Sequence, residues 1–162
     1  MATLRRMNNE DRISVIDIFN HYVEQSFAAF PEEKIPYAYF DEIFLRSDGY
    51  PRIVAENQDG SVVGFALLRP YNPIPAFRGT CEITYFIKPD MTGRGLGTLM
   101  LGFLLEEAKS TGIRNILAEI SSINKDSIRF HHRRGFKECG RFPGIGRKKG
   151  IYFDVIWMQL TL

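Results

Sequence analysis

The sequence predicts a mixed α/β fold, a sheet with helices packed on it, and three observations carry that prediction. An early pair of strand-length runs meets at Asp59-Gly60, a hairpin signal. A later run, Thr80 to Lys88, leads through a glycine-rich loop into a leucine-rich segment of helical period. Two further strand-length runs, Phe136 to Phe142 and Ile151 to Leu160, close the chain. Hairpin connections early and helical connections later imply a sheet of mixed direction rather than a regular βαβ repeat.

In chain order, Asn8 or Asn9 caps a helix on which Ile13, Ile16, Phe19, Tyr22 and Val23 share a face, ending near Ser26. Phe27 to Lys34 reads as loop, and a second helix starts near Pro36 with Tyr37, Phe40, Ile43 and Phe44 together. The hairpin runs from Arg52 to Glu56 and from Ser61 to Leu68, followed by an exposed proline-rich connection, Pro70 to Ala76. After the Thr80 strand, the helix beyond the glycines buries Leu96, Leu99, Met100, Phe103 and Leu104 and stops at Gly112. Asn115 to Ile120 is a buried strand, Lys125 to Arg134 a short helix ended by Gly135, and a Gly- and Lys-rich connector joins the last two strands. The full order is β-α-α-β-β-β-α-β-α-β-β.

A length of 162 residues with 44% hydrophobic content and 13 phenylalanines suffices for one core, so residues 1–162 are expected to form a single domain. The net charge of +2 comes from 21 basic and 19 acidic residues mixed along the chain, which argues against a nucleic-acid partner. Cys81 and Cys139 lack metal-ligand spacing and suit reduced thiols in a cytoplasmic protein; no metal is expected. The opening MATLRRMNNEDR leads into amphipathic pattern, so neither a signal peptide nor a membrane span is expected.

The chemistry concentrates at Thr92-Gly93-Arg94-Gly95-Leu96-Gly97-Thr98. Three glycines in five positions let the chain turn tightly with its N–H groups outward, and the following helix adds the positive end of its dipole. An anion would dock there, although a plain strand-to-helix turn explains the glycines equally well. A dinucleotide fingerprint would need an acid about 20 positions further on, and Ala108 to Arg114 supply none.

With these motifs the chain resembles the GCN5-related N-acetyltransferase superfamily, whose loop has the form Gln/Arg-x-x-Gly-x-Gly/Ala. Gly95 and Gly97 stand on its two glycines, and Asn124, Ser127, Gly135 and Phe136 match a second signature, Asn-x-x-Ser/Ala before a helix ending in Gly-Phe. The resemblance covers nearly the whole chain and looks closest to the phosphinothricin and methionine-sulfone acetyltransferases, through IFNHYVEQS, SIRFHHRRGF and GRKKGIYFDVIWMQL. It implies a mostly antiparallel central sheet flanked by helices, acetyl-CoA as cosubstrate, a small-molecule amine acceptor and a homodimer. The amides from Gly93 to Thr98 would hold the CoA pyrophosphate, with Arg94 adding charge. The main chain of Tyr85, Phe86 and Ile87 would pair with the pantetheine arm as an open strand edge, and Asn124 would hold the arm from the other side or cap its own helix. Thr92 departs from the pattern, since the family has Gln or Arg there.

Acetyl transfer needs a proton acceptor for the ammonium and a donor for the developing oxyanion. The resemblance makes Glu82 the base; otherwise it is a solvated strand residue. The N–H of Ile87 or of its neighbour is the candidate oxyanion donor. His131 stands where the superfamily often has a tyrosine that protonates the departing thiolate, and either does so or positions CoA or substrate. Arg69 and Arg78 flank the proline-rich connection, where each is either a clamp for a substrate carboxylate or a solvated arginine. Glu24, Ser26, Phe27 and Phe30 would line the acceptor side. The branch's Thr-Phe-Glu is replaced by Ala29-Phe30-Pro31, and its C-terminal pattern by Arg147, Lys149, Ile151 and Tyr152, so the resemblance does not carry the acceptor's identity. A peptide N-terminus, a polyamine, an aminoglycoside, or a CoA-binding module without turnover stay open.

Overall fold

A computed structural model describes residues 2–162. The strands are β1 (Thr3–Arg6), β2 (Arg52–Glu56), β3 (Val62–Pro70), β4 (Thr80–Ile87), β5 (Asn115–Ser121), β6 (Lys137–Lys148) and β7 (Ile151–Thr161). The helices are α1 (Arg12–Gln25), α2 (Tyr39–Arg46), α3 (Leu96–Ser110) and α4 (Lys125–Arg133). They follow the order read from the sequence. The strands form one seven-stranded sheet in the order β1-β2-β3-β4-β5-β7-β6, antiparallel except between β4 and β5.

That one parallel pair positions the site. Its register covers only Thr80–Asn115, Cys81–Ile116 and Glu82–Leu117, although both strands continue. Beyond Glu82 the edge of β4 that faces β5 is unpaired, while its other edge stays on β3 as far as Ile87. Lys88 N–H donates to Val63 C=O at 2.8 Å. Antiparallel alternation then turns the main-chain groups of Glu82, Thr84 and Phe86 toward β3, and those of Ile83, Tyr85 and Ile87 toward the open side.

Each face of the sheet carries its own core. On one, Val15, Ile16 and Phe40 of α1 and α2 pack on Val54 and Phe65, with Phe19, Tyr22 and Phe86 against them. On the other, Met100 and Leu104 of α3 pack on Ala66, Leu68, Cys81 and Ile116. Full burial of a large side chain such as Phe40 contributes about 1.5–3 kcal/mol. The buried stripe of α3 is Leu96, Met100, Leu104 and Ala108, an i, i+4 series; Leu99, expected inside, lies off that row and is half exposed. Ile13, also expected on a buried face, is exposed, and Val15 and Ile18 take its place in the core. Asn8 caps the turn that opens α1 through a reciprocal box with Asp11, whose buried carboxylate is gripped by both terminal nitrogens of Arg5 at 2.8 and 2.9 Å.

The Gly- and Lys-rich connector is not a loop. It continues β6 to Lys148, and only Lys149 and Gly150 turn, both at positive φ as a two-residue hairpin requires. The register slips between Phe142 and Gly146, with Gly144 at φ 64°, so the extra residues form a bulge. The hairpin tip clasps the segment after α1. The buried Lys148 ammonium donates to the carbonyls of Ser26 and Ala29, each at 2.7 Å, and Lys149 N–H donates to Glu32. Phe153 lies on Gly146 and packs edge-on against Phe27 and stacked on Phe30, both with centroids 5.8 Å away. A methyl group at 146 would overlap the Phe153 ring. Gly146→Ala is therefore expected to lower unfolding free energy by about 1–3 kcal/mol, read as a lower urea midpoint at unchanged slope.

Candidate active site

The split between β4 and β5 opens a cleft of about 1340 Å³ that runs through the sheet from one core face to the other. Its walls are the second half of β4, Ala118 to Ser121 of β5, the glycine loop, α4, and residues 25–31 after α1.

At one end, β4 passes through a turn at Pro89–Met91 into the loop, where Thr92 Oγ1 donates to Pro89 C=O at 2.8 Å. Gly93 and Gly95 adopt φ 73° and 83°, a region L side chains rarely enter, and the space where a Cβ would stand is open at both. Gly95 is the N-cap of α3 and no side chain caps the helix, so the first-turn N–H groups of Leu96, Gly97 and Thr98 keep donors for an anion. Thr92, Gly93, Gly95, Gly97 and Thr98 line the cleft; Leu96 sends its side chain into the core and offers only its amide. Arg94 is exposed and off the wall. Lys125, Arg133 and Arg134 of α4 and its end stand there instead, Arg134 over the Phe130 ring at 5.6 Å. Lys125 opens α4, whereas Arg133 and Arg134 close it beside the Gly-Phe step, a basic helix end that marks them in the sequence.

Along the open edge, Tyr22 on α1 donates its hydroxyl to Ile87 C=O at 2.5 Å. Ile87 thus keeps its N–H but not its carbonyl for a ligand, and Tyr85 keeps both. Phe86, expected as part of that edge, spends its main chain on β3; its ring packs with Phe19, Tyr22 and Phe65. Across the cleft, Asn124 Oδ1 accepts from Ser127 N–H at 3.3 Å and caps α4, leaving the two amide N–H donors.

His131 is buried and stacks on Tyr85. Its Nδ1–H donates to Ser127 C=O at 2.7 Å, and the Tyr85 hydroxyl donates to Nε2, a pairing that the hydrogen-bond network assigns. Burial drives its pKa down to about 4, against the opposing pull of the Ser127 carbonyl. Burial favours the neutral ring, and both of its nitrogens are engaged in hydrogen bonds. Of the two roles open to His131, acid or positioning, this geometry favours positioning, with Tyr85 as its neighbour. Burial also raises the Tyr85 phenol, which stays protonated. Only the main chain of Tyr85 entered the sequence reading, so the side-chain pair was missed.

On the opposite face stands Glu82, whose side chain is 15% exposed. Arg69, its cross-strand partner on β3, donates from Nε at 2.9 Å and from Nη2 at 2.5 Å, both to Oε2. Oε1 accepts no hydrogen bond among the described residues. Arg69 thus spends Nε and Nη2 on Glu82, a tie that a clamp for a substrate carboxylate would have to share. Arg78, expected near it, follows the turn Pro75–Phe77 in solvent, away from the cleft. Ser26, Phe27 and Phe30 line the cleft, whereas Glu24 is paired with Lys34 at 3.3 Å and lies off its wall. Arg147, Lys149, Ile151 and Tyr152 are exposed on the outer hairpin, off the wall too. A second carboxylate, Glu119 on β5, does line the cleft. Desolvation raises its pKa, the charge of Glu82 raises it further, and Arg69 partly offsets both. It went unread, though an acid between Ala118 and Ile120 in an apolar strand was its signal. Among the described residues no cluster of His, Cys, Asp or Glu suits a metal ion, and no helix is long and apolar enough to cross a membrane.

Comparison with known proteins bears on this geometry. The model of the acetyltransferase (GNAT) family matches residues 15–136. An L-methionine sulfoximine/L-methionine sulfone acetyltransferase of Pseudomonas aeruginosa is 34% identical, over 99% of this chain and 95% of its own. A phosphinothricin N-acetyltransferase of Streptomyces coelicolor is 30% identical over 94% and 92%. A solved phosphinothricin acetyltransferase of Sinorhizobium meliloti, in complex with acetyl-CoA, superimposes with a TM-score of 0.93 at 29% identity, over 99% of this chain and 88% of that one.

Proposed function

The chain belongs to the GNAT acetyltransferase family and is an acetyl-CoA-dependent N-acetyltransferase, and from that premise we propose that it acetylates the primary amine of a small amino acid or amino-acid analogue. The observation that carries the reading is the Arg69-held Glu82 at the point where β4 leaves β5, beside the open main chain of Tyr85 and Ile87. The names of the relatives support the acceptor class, methionine sulfone and phosphinothricin being amino-acid analogues. Two unbridged thiols, one buried and one exposed, are consistent with a reducing, cytoplasmic setting.

Acetyl-CoA supplies the activated acetyl group as a thioester. The amides from Gly93 to Thr98 take the pyrophosphate, with the cations of α4 beside them. Tyr85 and Ile87 hold the arm through their free main-chain groups, and the Ile87 N–H faces the developing oxyanion. Asn124 offers its amide N–H groups from the opposite wall. Glu82 presents Oε1 to the acceptor ammonium and draws a proton from it, directly or through a water. Phe27 and Phe30 exclude water at the acceptor end. His131 and Tyr85 keep the arm's path in shape without titrating near neutrality.

The test of the acceptor class is a panel of amino acids, sulfone and phosphinic analogues, polyamines, aminoglycosides and peptides at fixed acetyl-CoA. Amino-acid analogues are expected to give the highest kcat/KM for thiol release. A polyamine or peptide exceeding them would overturn the acceptor class while leaving the transferase chemistry standing.

A further inference from the structure

Glu82 has a neighbour that the mechanism above does not use. In the parallel pair Glu82 sits opposite Leu117, and Glu119 lies two residues further along β5 on the same face, about 6.6 Å on. Its carboxylate borders the cleft where β5 has left β4, and has no hydrogen-bond or ion-pair partner among the described residues. The charged groups facing it from packed elements are Glu82 on β4 and Arg69 on β3; opposite it on β7 stands Trp157, which carries none. His21 of α1 and Arg46 of α2 border the same cleft. One carboxylate is thus pinned by a guanidinium, and the other is unpinned and open to the same space.

We propose that Glu119 is a second catalytic carboxylate, which shares with Glu82 the proton taken from the acceptor ammonium. The inference rests on the acetyl-transfer reading. Two anions lining the same partly desolvated cleft, one from each strand, resist full ionisation together, so an arriving proton is held firmly. Arg69 is bonded to Glu82 and not to Glu119, which leaves Glu119 free as the proton's resting place. The raised pKa of Glu119 agrees with that division. In the step itself, one N–H proton of the ammonium passes to the carboxylate pair and the freed amine lone pair forms the N–C bond. The C–S bond then breaks with its electrons on sulfur, the second N–H proton goes to the thiolate, and the carboxylate pair returns its proton to solvent. The ammonium and thioester become amide, thiol and one released proton.

The experiment compares wild type, Glu119→Gln and Glu119→Asp in acceptor-dependent thiol release across about pH 5 to 9, with methionine sulfone, or the best amine of the panel, as acceptor. Acetyl-CoA affinity is measured alongside as the control for folding. Glu119→Gln is expected to lower kcat/KM for the acceptor by about 10- to 100-fold, keep acetyl-CoA affinity, and lose the wild-type acid limb. Glu119→Asp is expected to keep that limb at an intermediate rate. A glutamine variant with wild-type kcat/KM and an unshifted acid limb overturns the role of Glu119 alone. So does one that loses acetyl-CoA binding together with activity. A wild type that acetylates no amine overturns the proposed function, and this inference with it.

Discussion

Glu82→Gln is expected to lower kcat/KM for the amine by about 100- to 10,000-fold near neutral pH, with acetyl-CoA affinity nearly unchanged. Glutamine keeps the size of the side chain and one oxygen for Arg69, so the β3–β4 register and the cleft wall persist. What it removes is the anion that draws the ammonium in and accepts its proton. The glycine loop and the open edge of β4, which carry the affinity for acetyl-CoA, do not touch the substituted oxygen. Loss in kcat with little change in acetyl-CoA binding separates this outcome from a folding defect. Glu82→Asp gives the contrasting case. It retains a carboxylate but withdraws it from Arg69, and is expected to fall between wild type and Glu82→Gln. Turnover of Glu82→Gln equal to wild type would remove Glu82 from the chemistry.

The second large effect is on stability. His131 titrates near 6.5 in an unfolded chain and at about 4 in the fold. Between those values the unfolded chain binds a proton that the folded chain refuses. The contribution is therefore fully present above about pH 6.5 and is lost as pH falls toward 4, by about 3 kcal/mol in all. Urea unfolding at neutral pH and near pH 4.5 checks this in wild type and His131→Gln. The variant is expected to start less stable at neutral pH, because the Tyr85 hydroxyl loses its acceptor, and to lose less on acidification. Equal acid losses in both proteins would mean that His131 is not held neutral.

The parts of the site that are local in sequence were legible. The strand, the glycine loop and α3 follow one another directly, and the left-handed turns at Gly93 and Gly95 are what three glycines in five positions announce. Glu82 was singled out by the resemblance together with its place on that strand, and the structure puts it on the cleft wall. What was not legible depends on register between distant segments. Arg69 meets Glu82 only because the 71–79 connection returns β4 against β3 with those two residues opposed. Before that register is known, a clamp and a holder look alike. Glu119 joins them only through the three-residue parallel pairing of β4 with β5. The neutrality of His131 comes from its burial, against the pull of the Ser127 carbonyl, and burial does not show in a histidine's position along a helix. The β6 extension was hidden because glycines that mark a loop also serve a bulge when a ring such as Phe153 fills the space.

The central claim is tested most directly by incubating the purified wild-type protein with acetyl-CoA and methionine sulfone, following free thiol and identifying the acceptor product by mass. N-acetylated acceptor formed in step with thiol, and no thiol above background without acceptor, is the predicted result. Tight acetyl-CoA binding with no acceptor-dependent thiol from any amine of the panel would contradict it.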